Sequence, residues 1–245
     1  MLRFFSKLRK NLVESAQMRR YLLYALGEIV LVVIGILIAL QIDNWNEQRK
    51  LRERQYLLLT DLRSDLQETL NGLQWGKRFN EHTLKQYRFL IHAIDDNEPY
   101  SEKIDSAIAW LPMFHVPRFT RTAYESLKSQ GVDLISNRSL KNQIANLYEN
   151  VFPYLTEDQT QLEWSMHNTT KPIYINQYLR YRELSNEPMV YPVDFERIKT
   201  DTGFMNFMTS LASVRAAGIG FYESTISETE QVIASIDQEI EKLKE

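Results

Sequence analysis

From Leu22 to Ile42 the chain is almost continuously apolar, and no other stretch of it reads that way. At the helical rise these residues extend about 31 Å, the thickness of a bilayer's hydrocarbon core, so the pattern predicts a transmembrane helix. The run is longer than the apolar core of a cleaved leader, and no small-x-small signal follows Ala39-Leu40-Gln41-Ile42-Asp43. An anchor is therefore expected, with boundaries at 21–45. Tyr21 and Tyr24 mark the inner interface and Trp45 the outer one. Residues 1–13 put Met1, Phe5, Leu8 and Leu12 on one helical face, which suits a leader lying on the inner leaflet.

One charge interrupts the span. Glu28 lies about 9 Å in from Leu22 by helical rise, where an ionisable group is expensive and marks a functional or helix-contact position. Tyr24, one turn earlier, is the expected hydrogen-bond donor to it. Glu28 shares a stripe with Leu31, Gly35, Ile38 and Ile42, and Gly35-x-x-x-Ala39 offers a small-residue notch to another helix.

Beyond the span the periodicity is helical throughout. Leu59, Leu66 and Leu73 repeat at seven residues and predict a helix running on from the anchor, with Gly72 and Gly76 loosening it before a second segment over 79–94. Asn97-Glu98-Pro99 reads as a turn, 101–111 as a helix, and Pro112 and Pro117 bracket an irregular stretch. A helix over 119–129 closes at Gly131, and Ser136 or Asn137 caps the next, which carries Leu140, Ile144 and Leu147 up to Pro153. Another helix passes through Leu162 and Trp164, and a looser, tyrosine-rich region surrounds Pro172, Pro188 and Pro192. Asp201 or Thr202 then caps a final helix to about Leu243. Its Tyr222, Ile226, Thr229, Ile233, Ile236, Ile240 and Leu243 alternate spacings of four and three, as in a coiled-coil seam. That seam packs either against the Leu59–Leu73 helix or against a copy of itself; the intramolecular pairing is preferred because both helices need a partner. The expected architecture is all-α: a transmembrane helix continuing into a helical bundle with a long C-terminal helix.

Charge orients this arrangement. Arg3, Lys7, Arg9, Lys10, Arg19 and Arg20 precede the span, whereas Asp43 and Glu47 are the first charges after it. Positive flanks stay cytoplasmic, so residues 1–20 form a basic cytoplasmic leader and 46–245 an exported domain. The chain has no cysteine, so that domain is stabilised by core burial rather than disulfides. A mild acidic excess over residues 46–245 argues against nucleic acid as a partner.

Catalytic chemistry is sparse. The four histidines, His82, His92, His115 and His167, show no metal-ligand spacing on a helix. His92 with Asp95 and Asp96 is the nearest approach to a metal site, and it lacks further ligands. Gly218-x-Gly220 is not a phosphate loop, and no nucleophile signature is present. No catalytic, cofactor-binding or metal-binding residue is expected.

The run from Tyr21 to Glu47, with its Gly27-Glu28 pair and Asn44-Trp45-Asn46 exit, resembles the opening of an uncharacterised family of small membrane-anchored proteins common in Bacteroidota. Thr122-Ala-Tyr-Glu-Ser-Leu-Lys-Ser-Gln-Gly-Val-Asp-Leu-Ile-Ser-Asn137 is similar to that family's second motif. The resemblance implies a Gram-negative inner membrane and a periplasmic helical domain, and it transfers no catalytic residue. The leading expectation is a non-enzymatic scaffold or interaction module in contact with the bilayer and with a membrane or periplasmic protein, a second copy of itself included. A proton- or ion-coupled subunit using Glu28 and a ligand-sensing module are the alternatives.

Overall fold

The computed structural model describes residues 16–181 and 190–244. The leader over 1–13 and the side chain of Tyr21 lie outside the described residues. The chain divides into two compact units, with the boundary after Arg54.

Helix α1 is assigned from Ala16 to Asp95. Within the first unit, Leu22–Ile42 is long and apolar enough to cross a membrane, and none of its side chains is buried.

The second unit holds the rest of α1 and the remaining elements. These are α2 (Glu102–Ile108), α3 (Thr122–Gln130), a 3-10 turn (Val132–Leu134) and α4 (Arg138–Asn146). There follow a π-helical turn (Leu147–Val151), α5 (Phe152–Ser165) and a longer π-helical stretch (Met166–Ile175). The chain then forms α6 (Asn176–Tyr178), β1 (Leu179–Tyr181), β2 (Val190–Pro192), α7 (Phe195–Thr200) and α8 (Thr202–Lys244). The protein is all-α, apart, among the described residues, from one short antiparallel ribbon that pairs Leu179 with Pro192 and Tyr181 with Val190.

Local chemistry explains the boundaries. Gly131 takes φ 102°, a conformation that an L side chain resists, and it closes α3 with its N–H on the Leu127 carbonyl. The Asn137 side chain caps α4 by accepting from Leu140 N at 3.2 Å. Asp201 does the same for α8, accepting from Phe204 N at 2.9 Å.

Two apolar cores lie along α1 and α8. The first gathers Leu59, Leu62, Leu66 and Leu73 of α1 with Ile233, Ile236 and Ile240 of α8, closed by α3 and α4; Ile226 packs against it, partly buried. The second joins Leu84, Leu90 and Ile94 to Phe204, Met208 and Leu211, with α2, α7 and the ribbon around them. Polar contacts fix the direction. Arg63 pairs with Asp237, Lys77 with Glu223 at 2.8 Å, and Asn80 with Arg215. As numbers rise along α1 they fall along α8, so the helices run antiparallel.

Three expectations are corrected. Gly72 and Gly76 do not loosen α1, which stays helical through both. Gly76 instead lies under the Tyr222 ring, and burial there outweighs its poor helix propensity. Pro153 does not stop the helix: the π-turn before it places it in the first turn of α5, where its missing N–H has no acceptor to serve. Pro172 likewise sits inside the second π-helical stretch. The tyrosine-rich region is not simply loose, since it contains the ribbon, whose three-residue strands are too short to show alternation.

Ile236 is fully buried in the first core. Ile236→Ala should cost about 2–5 kcal/mol in urea unfolding, while a loss below about 1 kcal/mol would show that the α8 seam is not packed as described.

Candidate functional site

Between the two cores both helices carry polar residues inward. The seven-residue repeat Leu59, Leu66, Leu73 continues on α1 through Asn80, Tyr87 and Ile94, and all six are buried. On α8 the repeat Met208, Arg215, Tyr222, Thr229, Ile236 is buried throughout. The polar members of the two seams meet, and Arg215 is at their centre, 1% exposed.

Its guanidinium is held by neutral groups. Nη1 donates to Asn80 Oδ1 at 2.6 Å, and Nη2 donates to Tyr87 Oη at 3.3 Å and to the Met113 carbonyl at 3.1 Å. The Phe114 ring lies 4.8 Å from the charge and the Tyr87 ring 5.7 Å. Asn80 Nδ2 donates back to the Gly76 carbonyl, and Tyr87 Oη donates to the Leu111 carbonyl at 3.3 Å. Among the described residues no carboxylate forms an ion pair with Arg215, and its Nε has no acceptor. The Tyr222 hydroxyl is also buried and makes no well-formed hydrogen bond, with the Asn80 side chain its polar neighbour.

Neither phenol supplies the missing negative charge. Burial raises the Tyr87 pKa, and Arg215 opposes that only in part. Burial likewise pushes Tyr222 well above the usual phenol range, again with Arg215 opposing it. Asp158 of α5 acts on Tyr222 from a distance, but its carboxylate is hydrogen-bonded to Gln159 Nε2 at 2.9 Å. An arginine cannot escape burial by deprotonating. The belt is therefore a buried cation compensated by dipoles and ring faces alone.

The cover over it is the stretch after α2. Residues 113–121 have no regular secondary structure, and Met113 and Phe114 supply its contacts to Arg215. Next to them His115 packs edge-on against Trp75, with centroids 4.5 Å apart, and Trp110 lies 4.4 Å from His82. A Cβ added at Gly76 would fall 2.6 Å from Tyr222 Cε1 and 2.9 Å from His115 Cδ2. Glycine is needed here for close approach rather than for backbone freedom.

The other candidates are placed as follows. Glu28 is exposed on the apolar helix, Tyr24 is 81% exposed, and no hydrogen bond joins them. Gly35 has open space around it, and Ala39 is exposed. Leu59, Leu66, Leu73, Ile233, Ile236 and Ile240 are core residues of the second unit. Among the described residues no cluster of three His, Asp or Glu is set to hold a metal, His92 with Asp95 and Asp96 included. A separate groove of about 790 Å³ on α5 is lined by Phe119, Phe152, Pro153 and Trp164, with Arg121 and Glu157 at its edge. Trp164 is 63% exposed there.

The arginine belt was missed from sequence because a lone arginine in a helix usually belongs to a solvated face. The available signal was its register, one heptad upstream of Tyr222 on the seam that holds Thr229 and Ile236.

Fold and site together define an all-α protein in which a long apolar helix segment accompanies a helical domain built around a buried polar belt. The chain belongs to the family of unknown function DUF6090, which matches residues 28–165. No curated protein and no solved structure matches it.

Two outcomes follow from this geometry. Gly76→Ala should destabilise the domain by about 1–3 kcal/mol through overpacking, measured by chemical unfolding; an unchanged midpoint would contradict the Tyr222 contact. His115 has its pKa lowered by burial, so the unfolded chain takes up a proton more readily than the folded one. Its contribution to stability should be present above the ordinary histidine pKa of about 6.5 and fall away as pH drops below it. His115→Gln should flatten that part of the stability–pH curve, and an unaltered curve would assign the dependence elsewhere.

Proposed function

We propose that the protein is a non-catalytic interaction scaffold anchored in the cytoplasmic membrane, with its N-terminus inside and residues 46–245 in the periplasm. The observation that carries this reading is the complete lack of burial from Leu22 to Ile42, in a chain whose other long apolar seams are packed into cores. Apolar surface of that extent needs a non-aqueous surrounding, and lipid supplies it. The basic residues before the span and the acidic ones after it support the orientation. The exposed aromatic groove beside Trp164 gives the helical domain a surface of the type that protein partners use.

Protease added to intact spheroplasts should remove the helical domain and leave a short membrane-protected fragment. Full protection of the chain would reverse the orientation, and release into the soluble fraction without protease would end the anchor reading.

A second reading rests on Glu28, an exposed carboxylate in the middle of apolar surface with no partner among the described residues. Under the scaffold reading the carboxylate serves helix contacts, and Glu28→Gln, which keeps shape and hydrogen-bonding capacity, should leave partner capture and abundance unchanged. Loss of function at normal abundance and assembly would favour a proton- or ion-coupled subunit, because glutamine cannot titrate.

A further inference from the structure

We propose that the Arg215 belt is a binding site for a carboxylate group, closed in this structure by the stretch that carries Met113 and Phe114. The proposal is independent of the scaffold reading, since it concerns what the folded domain binds. It starts from an imbalance. A buried guanidinium is normally matched by an acid, and here three neutral acceptors and two ring faces stand in its place.

A polar pair that only fixed the register of two helices would be complete with Asn80 and a neutral partner. Arginine adds a charge and a donor that the fold leaves unused. Nε and Nη2 form one edge of the guanidinium fork, the edge that accepts a carboxylate through two parallel hydrogen bonds. Nε is buried and has no partner. Nη2 is met by the Met113 carbonyl, which belongs to a stretch without regular secondary structure. A carboxylate that displaces that carbonyl replaces one neutral acceptor with two charge-assisted hydrogen bonds and supplies the counter-charge. The Tyr222 hydroxyl, on the same seam, is buried beside the Asn80 side chain and makes no well-formed hydrogen bond, and the Tyr87 hydroxyl already touches Nη2. In the closed state the Met113 carbonyl takes the Nη2 end of that edge and the Phe114 ring lies against the guanidinium, so binding requires residues 110–117 to move outward.

The test uses the full chain in detergent micelles. Sodium acetate, titrated against sodium chloride at constant ionic strength, should raise Tm saturably and speed amide exchange over residues 110–117. Arg215→Met removes an uncompensated charge and should fold, with apparent acetate affinity weakened about tenfold or more. Arg215→Lys keeps the charge without the fork and should show the same loss, which a mere charge effect would not. Tyr222→Phe should weaken acetate binding while leaving the fold intact. If both Arg215 variants fail to fold, the comparison of acetate with chloride on the natural chain and the exchange over 110–117 decide the matter alone. A short peptide with a free C-terminus, set against its amide-capped twin, separates the two sources of the group. Tighter binding than acetate, lost on capping, assigns a chain end, and no gain over acetate assigns a small carboxylate. The proposal is overturned if neither probe gives a saturable shift, if inorganic phosphate binds and both carboxylates do not, or if folded Arg215→Met and Arg215→Lys retain the acetate effect.

Discussion

The helical domain depends on one pairing, that of two heptad seams running antiparallel along α1 and α8. Each seam is apolar at both ends and polar in the middle, and the polar parts coincide. Sliding α8 by a heptad toward the N-terminal end of α1 would put Arg215 opposite Leu73 and leave Asn80 facing Met208, each a buried polar group without its partner. A polar residue in an otherwise apolar seam fixes register at some cost in stability, and the Asn80–Arg215 contact does so for this pair. The ion pairs Arg63–Asp237 and Lys77–Glu223 agree with that register. They are largely exposed and add little to stability. The shorter elements are arranged around the pairing: α3 and α4 close one core, and α2, α7 and the ribbon close the other.

The same pairing sets the character of the polar belt. Pinned between two apolar cores, Arg215 has no acid paired with it among the described residues, and its charge is spread over an amide, a phenol, a carbonyl and two rings. Gly76 makes this possible by letting the Tyr222 ring lie against α1. The stretch from Leu111 to Pro117 then seals the belt with Met113, Phe114 and His115. Elsewhere burial acts in the same direction on other aromatic hydroxyls. It pushes Tyr124 up to about 12, and Tyr124 stacks flat on Tyr148 at 4.3 Å beside Arg121.

Much of the helical framework was legible in the residues themselves. The run Leu22–Ile42, the leucine heptads of α1, the isoleucine heptads of α8, the Asn137 cap and the Gly131 stop each have a local physical cause, and local causes survive in sequence. What escaped had a tertiary cause. Gly72 and Gly76 read as weak points because propensity counts them so, whereas the helix runs through both and Gly76 is packed against Tyr222 of α8. Pro153 read as a stop, and Pro172 as part of a looser region, because a π-turn leaves no periodic trace. The ribbon strands are too short to alternate visibly, and Arg215 looked solvated because its neighbours lie far away in sequence.

The pairing of α1 with α8 inside one chain is the central claim, and the absence of cysteine from the sequence makes it directly testable. Cysteines at positions 63 and 237, replacing the partners Arg63 and Asp237, can be bridged by a short bis-maleimide in native membranes. The pairing predicts a crosslink within a single chain, giving a monomer of altered mobility on a denaturing gel. A product found only at the mass of a dimer would mean that the seams pair between chains, and it would contradict the account.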